Sequence, residues 1–123
     1  YFVDAAKNAT VSTAGDTLGL AGFNDLFWAA LNTYDQQAKA QKISVPTLIT
    51  QGERDYQVTM EDFNLWQEAL KDFDNFTFKS YPSLNHLYVS GSKPSTPDEY
   101  LFDSFADTTY INDIATWINS PNK

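Results

Sequence analysis

The sequence predicts an α/β fold, and three observations carry that expectation. Ile43-Ser44-Val45-Pro46-Thr47-Leu48-Ile49-Thr50-Gln51-Gly52 is rich in β-branched residues and is punctuated by Pro46 and Gly52. Asn75 to Tyr81 alternates, with Phe76, Phe78 and Ser80 on one side and Thr77, Lys79 and Tyr81 on the other. Between them Phe63, Trp66, Ala69, Leu70 and Phe73 recur at helical spacing. Strand, helix, strand is one right-handed crossover with parallel strands.

The elements follow in chain order. Residues 1–15 are small and polar and read as a loop or a loosely tied terminus. Asp16 is placed to cap a helix through Leu18, Leu20, Phe23, Leu26, Phe27, Ala30 and Leu31. Gly19 and Gly22 each cost about 1 kcal/mol inside a helix, so a break is expected near Gly22, with the second piece running from about Asn24 to Gln41. The first strand is expected over Thr47 to Gln51, with Pro46 tolerated at its entrance. Thr59 and Asp62 match a capping box at the start of a helix over 60–73. The second strand runs from Asn75 to Tyr81 and Pro82 ends it. Residues 83–106 are expected to be irregular. Asp107 then caps a last helix with Tyr110, Ile111, Ile114, Ala115 and Ile118 on one face, and Pro121 lies beyond its end. Two parallel strands cannot cover themselves, so more strands are expected from elsewhere.

Composition narrows the function. The chain has 123 residues, of which 42% are apolar and 20% charged, a globular balance that argues against wholesale disorder. Sixteen acidic against eight basic residues leave a net charge of -8. Nucleic-acid binding needs clustered Lys and Arg, and an anionic membrane surface repels such a chain, so neither partner is expected. There is no cysteine, which removes disulfides, thiolate zinc sites and cysteine nucleophiles and fits a cytoplasmic or a secreted protein equally.

Two residues stand out for chemistry. His86 is the only histidine and lies in Tyr81-Pro82-Ser83-Leu84-Asn85-His86-Leu87, just past the end of a strand. Parallel sheets gather ligands and catalytic groups at that edge. Asp55 lies in Gly52-Glu53-Arg54-Asp55-Tyr56-Gln57-Val58, past the end of the neighbouring strand. Adjacent parallel strands bring both loops to one edge, where a carboxylate can orient an imidazole and stabilise its protonated form. A metal held by Glu53, Asp55 and His86 is the weaker alternative, with no second histidine to support it. The acidic group Asp98, Glu99, Asp103 and Asp107 reads as solvation of the long loop. Phe23, Phe27 and Trp28 read first as packing and second as an acyl pocket, and Phe102 and Phe105 are open between the same two roles.

These motifs resemble the α/β-hydrolase superfamily. Val45 to Val58 resembles its acid-bearing strand and loop, Tyr81 to Leu87 its histidine loop, and the last helix its closing helix. The resemblance covers about residues 43–120 and is nearest to bacterial esterase-like, dienelactone-hydrolase-like members, in which a Ser95-Thr96-Pro97-type loop follows the histidine. Residues 1–42, with Tyr34-Asp35 before a helical stretch, resemble a loop and helical cap segment, and residues 43–123 the C-terminal part of the hydrolase domain. The resemblance implies that Asp55 orients His86, and that His86 activates a serine against the carbonyl of a small-molecule ester, with no metal or organic cofactor.

The nucleophile of that family precedes the acid in a G-x-S-x-G elbow. Upstream of Asp55 there are only Ser12 and Ser44, and neither sits in such a pattern. The oxyanion-hole glycine motif is missing too. The chain opens on Tyr1 and not on Met, so it is expected to be the C-terminal portion of a larger serine hydrolase and inactive alone. The rival expectation is a non-catalytic interaction module. Either way an unpaired strand edge invites self-association, and a homo-oligomer is expected unless the missing half covers it.

Overall fold

The computed structural model describes residues 7, 8, 10, 18–20 and 23–120. The chain divides into two compact units, Tyr1–Ala38 and Lys39–Lys123. The expected cap at Asp16, most of the loop over 1–15 and Pro121 lie outside the described residues.

In the first unit, the expected helix before Gly22 is instead an antiparallel pair, β1 (Leu18–Leu20) with β2 (Phe23–Asn24). Two glycines within four residues leave too little helical propensity to nucleate a turn. Helix α1 (Asp25–Thr33) follows. The single helix expected to Gln41 is broken, because a second short helix, α2 (Gln36–Ala40), starts afresh. The Asp35 carboxylate accepts the Ala38 N–H at 2.8 Å and so starts this new turn locally. Phe23 and Phe27 stack at 4.2 Å between ring centroids, and Trp28 meets both edge-on. These rings pack on one another, the first of the two roles expected of them.

The second unit holds the sheet. Strands β3 (Thr47–Gly52) and β4 (Phe76–Tyr81) pair in parallel from Thr47↔Phe76 to Gly52↔Tyr81. Helix α3 (Met60–Leu70) crosses between them. Asp62 reaches back to accept the Thr59 N–H at 3.0 Å, the carboxylate half of the expected capping box. Phe63 is buried and meets Phe78 edge-on at 5.7 Å, so α3 covers the Phe76/Phe78 face. Helix α4 (Thr108–Ile118) covers the opposite face, where Asp113 accepts from the Tyr81 hydroxyl at 3.1 Å and pairs with Lys79 at 2.6 Å. Asp107 caps α4 through the Thr109 N–H at 2.8 Å.

Helix α4 turns less of its apolar stripe inward than its spacing implies. Tyr110 and Asp113 meet the sheet, while Ile111 and Ile118 stay half exposed. The stretch over 83–106 is also more regular than expected. Leu84 bridges Ser90, and Pro97–Leu101 forms a 3-10 helix opened by Pro97, whose fixed φ suits a first turn. Phe102 and Phe105 lie exposed beyond it. Among the described residues no helix is long and apolar enough to cross a membrane.

Candidate active site

The register of β3 and β4 ends with Gly52 beside Tyr81, so the two following loops leave the sheet side by side. Two backbone bonds tie them, Glu53 N–H to Tyr81 O and Arg54 N–H to Leu84 O, and Leu84 N–H to Tyr81 O closes the turn that opens the histidine loop. The approach is close enough to require glycine. A Cβ on Gly52 would lie 2.5 Å from Asn85 O and 2.6 Å from Leu84 O.

The acid loop is self-supporting. The Asp55 N–H donates to Gly52 O at 3.1 Å, and Asp55 Oδ1 accepts the N–H groups of Gln57 at 2.8 Å and Val58 at 3.1 Å. This is an aspartate turn closed by the carboxylate itself. Its Oδ2 lies 2.7 Å from His86 Nδ1, and the Gln51 amide adds a longer bond at 3.4 Å. Gln51 is buried and anchors the far end of the loop by donating to Val58 O at 2.8 Å.

Asp55 and His86 are therefore brought together across 31 residues of sequence. The Asp55 side chain is 5% exposed and that of His86 40%. Burial pushes the Asp55 carboxyl up, but the bonds from His86 and from the Val58 and Gln57 N–H groups outweigh it and hold it below its usual range. With Oδ2 ionised and facing Nδ1, the favoured neutral imidazole carries its proton on Nδ1. No hydrogen bond from the described residues engages Nε2, which leaves its lone pair open on a side chain that is 40% exposed. No described serine hydroxyl bonds to His86. Those of Ser80, Ser90 and Ser95 donate to Glu53, Asp107 and Glu99. Glu53 thus spends its carboxylate on Ser80, and among the described residues no group of His, Cys, Asp or Glu is arranged to hold a metal ion.

The histidine loop is held by residues that the sequence reading did not single out. Asn85 is 1% exposed. Its Oδ1 accepts the Leu87 and Val89 N–H groups, both at 3.0 Å, and its Nδ2 donates to Glu99 Oε2 at 2.9 Å. Glu99 also accepts from Ser95 at 3.0 Å and forms an ion pair with Arg54. The bond from Asn85, those from Ser95 and Arg54, and the Arg54 charge together hold its carboxyl below the usual range. Arg54 reaches further, donating to Ser83 O at 3.2 Å and to Lys93 O. Tyr88 closes the loop at φ 58, a left-handed conformation that costs on the order of 1 kcal/mol. Its hydroxyl bonds to Thr50 and its ring stacks on Tyr110 at 3.7 Å.

The acidic group, expected to solvate the long loop with Asp107 also capping the last helix, is thus divided. Asp98 and Asp103 are exposed, whereas Glu99 is an internal partner of Arg54 and Asp107 caps α4. The one usable signal for this was Arg54, the lone arginine, placed beside Asp55.

A parallel β-α-β unit with helices on both faces, and an Asp–His pair at the carboxyl ends of its strands, is part of an α/β-hydrolase fold. The model of the Dienelactone hydrolase family matches residues 5–118, and the chain belongs to that family. Over 88 residues it is 36% identical to Esterase EstD of Thermotoga maritima, a stretch that covers 72% of this chain. The matched stretch spans 21% of that esterase's length. No solved structure matches the chain.

Proposed function

We propose that this chain carries the acid and base of a serine hydrolase that cleaves carboxylic esters or related acyl bonds, with the nucleophile outside this sequence. The observation that carries the reading is the 2.7 Å contact between buried Asp55 and part-exposed His86. The family and the esterase relative supply the substrate class, a small-molecule ester.

In this mechanism Asp55 stays ionised throughout. His86 Nε2 takes the proton from a serine hydroxyl as its oxygen attacks the ester carbonyl. The imidazolium is stabilised by Asp55 Oδ2 at Nδ1 and then gives the Nε2 proton to the departing alcohol. A water repeats the sequence on the acyl-enzyme. Nε2 must face the nucleophile for this, and its lone pair, with no hydrogen bond from the described residues, supports that role. In this reading residues 1–42 are a loop and helical cap-like segment, and residues 43–123 are the C-terminal part of the hydrolase domain.

The isolated chain is expected to hydrolyse p-nitrophenyl acetate no faster than buffer. Supplied in one polypeptide with a family segment bearing a G-x-S-x-G elbow, it is expected to turn over. There His86→Ala should lower kcat by roughly 10³-fold or more. Turnover by the isolated chain that His86→Ala abolishes would overturn the external nucleophile. Turnover of the joined protein that His86→Ala leaves intact would overturn the whole reading.

A second reading, a non-catalytic module that self-associates into a homo-oligomer, has one observation in its favour. Among the described residues β3 pairs with β4 alone, which leaves its other edge open. A monomeric mass by light scattering at micromolar concentration removes it.

A further inference from the structure

We infer that Glu99, clamped by Arg54, is a positioning residue that fixes the histidine loop through Asn85 and thereby keeps His86 Nδ1 on Asp55. The inference rests on the acid–base reading of Asp55 and His86, and it adds a residue with no direct contact to either.

The argument begins with the Asn85 amide. A side-chain amide can be turned by 180°, exchanging its oxygen and nitrogen with little change in shape. In this loop only one orientation serves. The two N–H groups of Leu87 and Val89, which flank His86 and Tyr88, require an acceptor, so Oδ1 must face them. The choice between orientations is made on the other side. Glu99 Oε2 accepts and never donates when ionised, so it admits Nδ2 and rejects Oδ1. Asn85 is 1% exposed, which leaves no solvent to satisfy the wrong orientation.

Glu99 in turn is held where it must be. The Arg54 guanidinium, with its side chain 8% exposed, pairs with Oε1, and the Ser95 hydroxyl donates to Oε2. Arg54 adjoins Asp55 in sequence and donates to Ser83 O in the histidine loop. Gly91 packs against the guanidinium so closely that a Cβ there would lie 2.2 Å from its central carbon. One ion pair therefore spans the acid loop, the histidine loop and the 3-10 helix. It sets the orientation of the loop that carries His86 without touching the imidazole.

Because His86 is the only histidine, ring nitrogen NMR reads it without assignment ambiguity. The probe is the ratio of the Nδ1–H to the Nε2–H neutral tautomer, measured in the parent chain, Glu99→Ala, Glu99→Gln and Asp55→Asn. The parent is expected to favour Nδ1–H, and Glu99→Ala to reduce that preference by about tenfold, the worth of one lost bond to a charged acceptor. Glu99→Gln should fall short of the parent too, because its amide can satisfy Asn85 or Arg54 but brings a second donor against one of them. The backbone amide spectrum checks that each variant keeps the fold. A folded Glu99→Ala with the parent's tautomer ratio overturns the inference. If Glu99→Ala unfolds, Glu99→Gln decides by the same ratio, and if both unfold Glu99 acts in stability alone and the inference is equally overturned. A parent that favours Nε2–H contradicts the acid–base reading itself, which separates the two failures.

Discussion

The two loops at the carboxyl edge of the sheet share one closing device but are anchored differently. The acid loop, Glu53 to Val58, is closed by its own aspartate, which accepts two N–H groups within three residues of itself. The histidine loop, Pro82 to Gly91, is closed by its own Asn85, which accepts two N–H groups within four residues, but that amide is oriented from outside by Glu99, and Arg54 reaches across from the other loop. The acid loop thus closes on local chain geometry, and the loop of the base needs tertiary contacts as well. A catalytic carboxylate needs only a fixed direction and a shielded site. A catalytic imidazole must also present a free nitrogen to a partner, so its loop leaves the ring exposed and relies on anchors beneath it.

That contrast can be broken from either side. The largest effect is expected from Asp55→Asn in a nucleophile-bearing hydrolase containing this chain. The amide would favour the wrong tautomer, and kcat should fall by about 10⁴-fold with little change in KM, measured by steady-state ester hydrolysis. Next comes Asn85→Ala, which strips the acceptor from two loop N–H groups. A loss of about 3 kcal/mol is expected in urea unfolding, at one to three for each buried donor left unpaired. Gly52→Ala should cost about 1–3 kcal/mol, since its methyl would meet the backbone of the histidine loop and cannot be relieved by a side-chain rotation. Asp62→Ala, remote from both loops, should cost about 1 kcal/mol and leave His86 unchanged.

The smallest effect is in pH. Asp55 has a folded-state pKa below its unfolded value of about 3.9. Its contribution to stability is therefore complete above about pH 4 and is lost as pH falls through the folded value. Unfolding midpoints followed downward through that window should fall less steeply in Asp55→Asn than in the parent. Equal slopes would mean that the carboxylate gains nothing from its loop.

The same contrast explains what could be read from sequence. Asp55 and His86 were legible because each sits just past a strand whose pattern is local, and parallel pairing then brings the two loops together. The Asp107 cap and the Thr59–Asp62 box were legible for the same reason, since each partner lies within three residues. Glu99 was not. Its partner Arg54 is 45 residues away, and a glutamate in an acidic stretch looks the same whether it faces water or an arginine. Asn85 was not legible either, because an amide beside a histidine carries no pattern of its own and its bond to Glu99 exists only in the folded loop. The β1–β2 pair was not legible because Leu18, Leu20 and Phe23 fit helical spacing about as well as two short strands. The two-residue break at Tyr34-Asp35 escaped because Asp35 caps α2 from within a polar stretch that offers several similar residues.

The central claim is that Asp55 holds the imidazole with its proton on Nδ1 and Nε2 free. Ring nitrogen shifts of the single histidine, compared between the parent chain and Asp55→Asn, test it most directly. The account predicts the Nδ1–H form in the parent and a shift toward Nε2–H in the variant. The Nε2–H form in the parent, or the same ratio in both proteins, would contradict it.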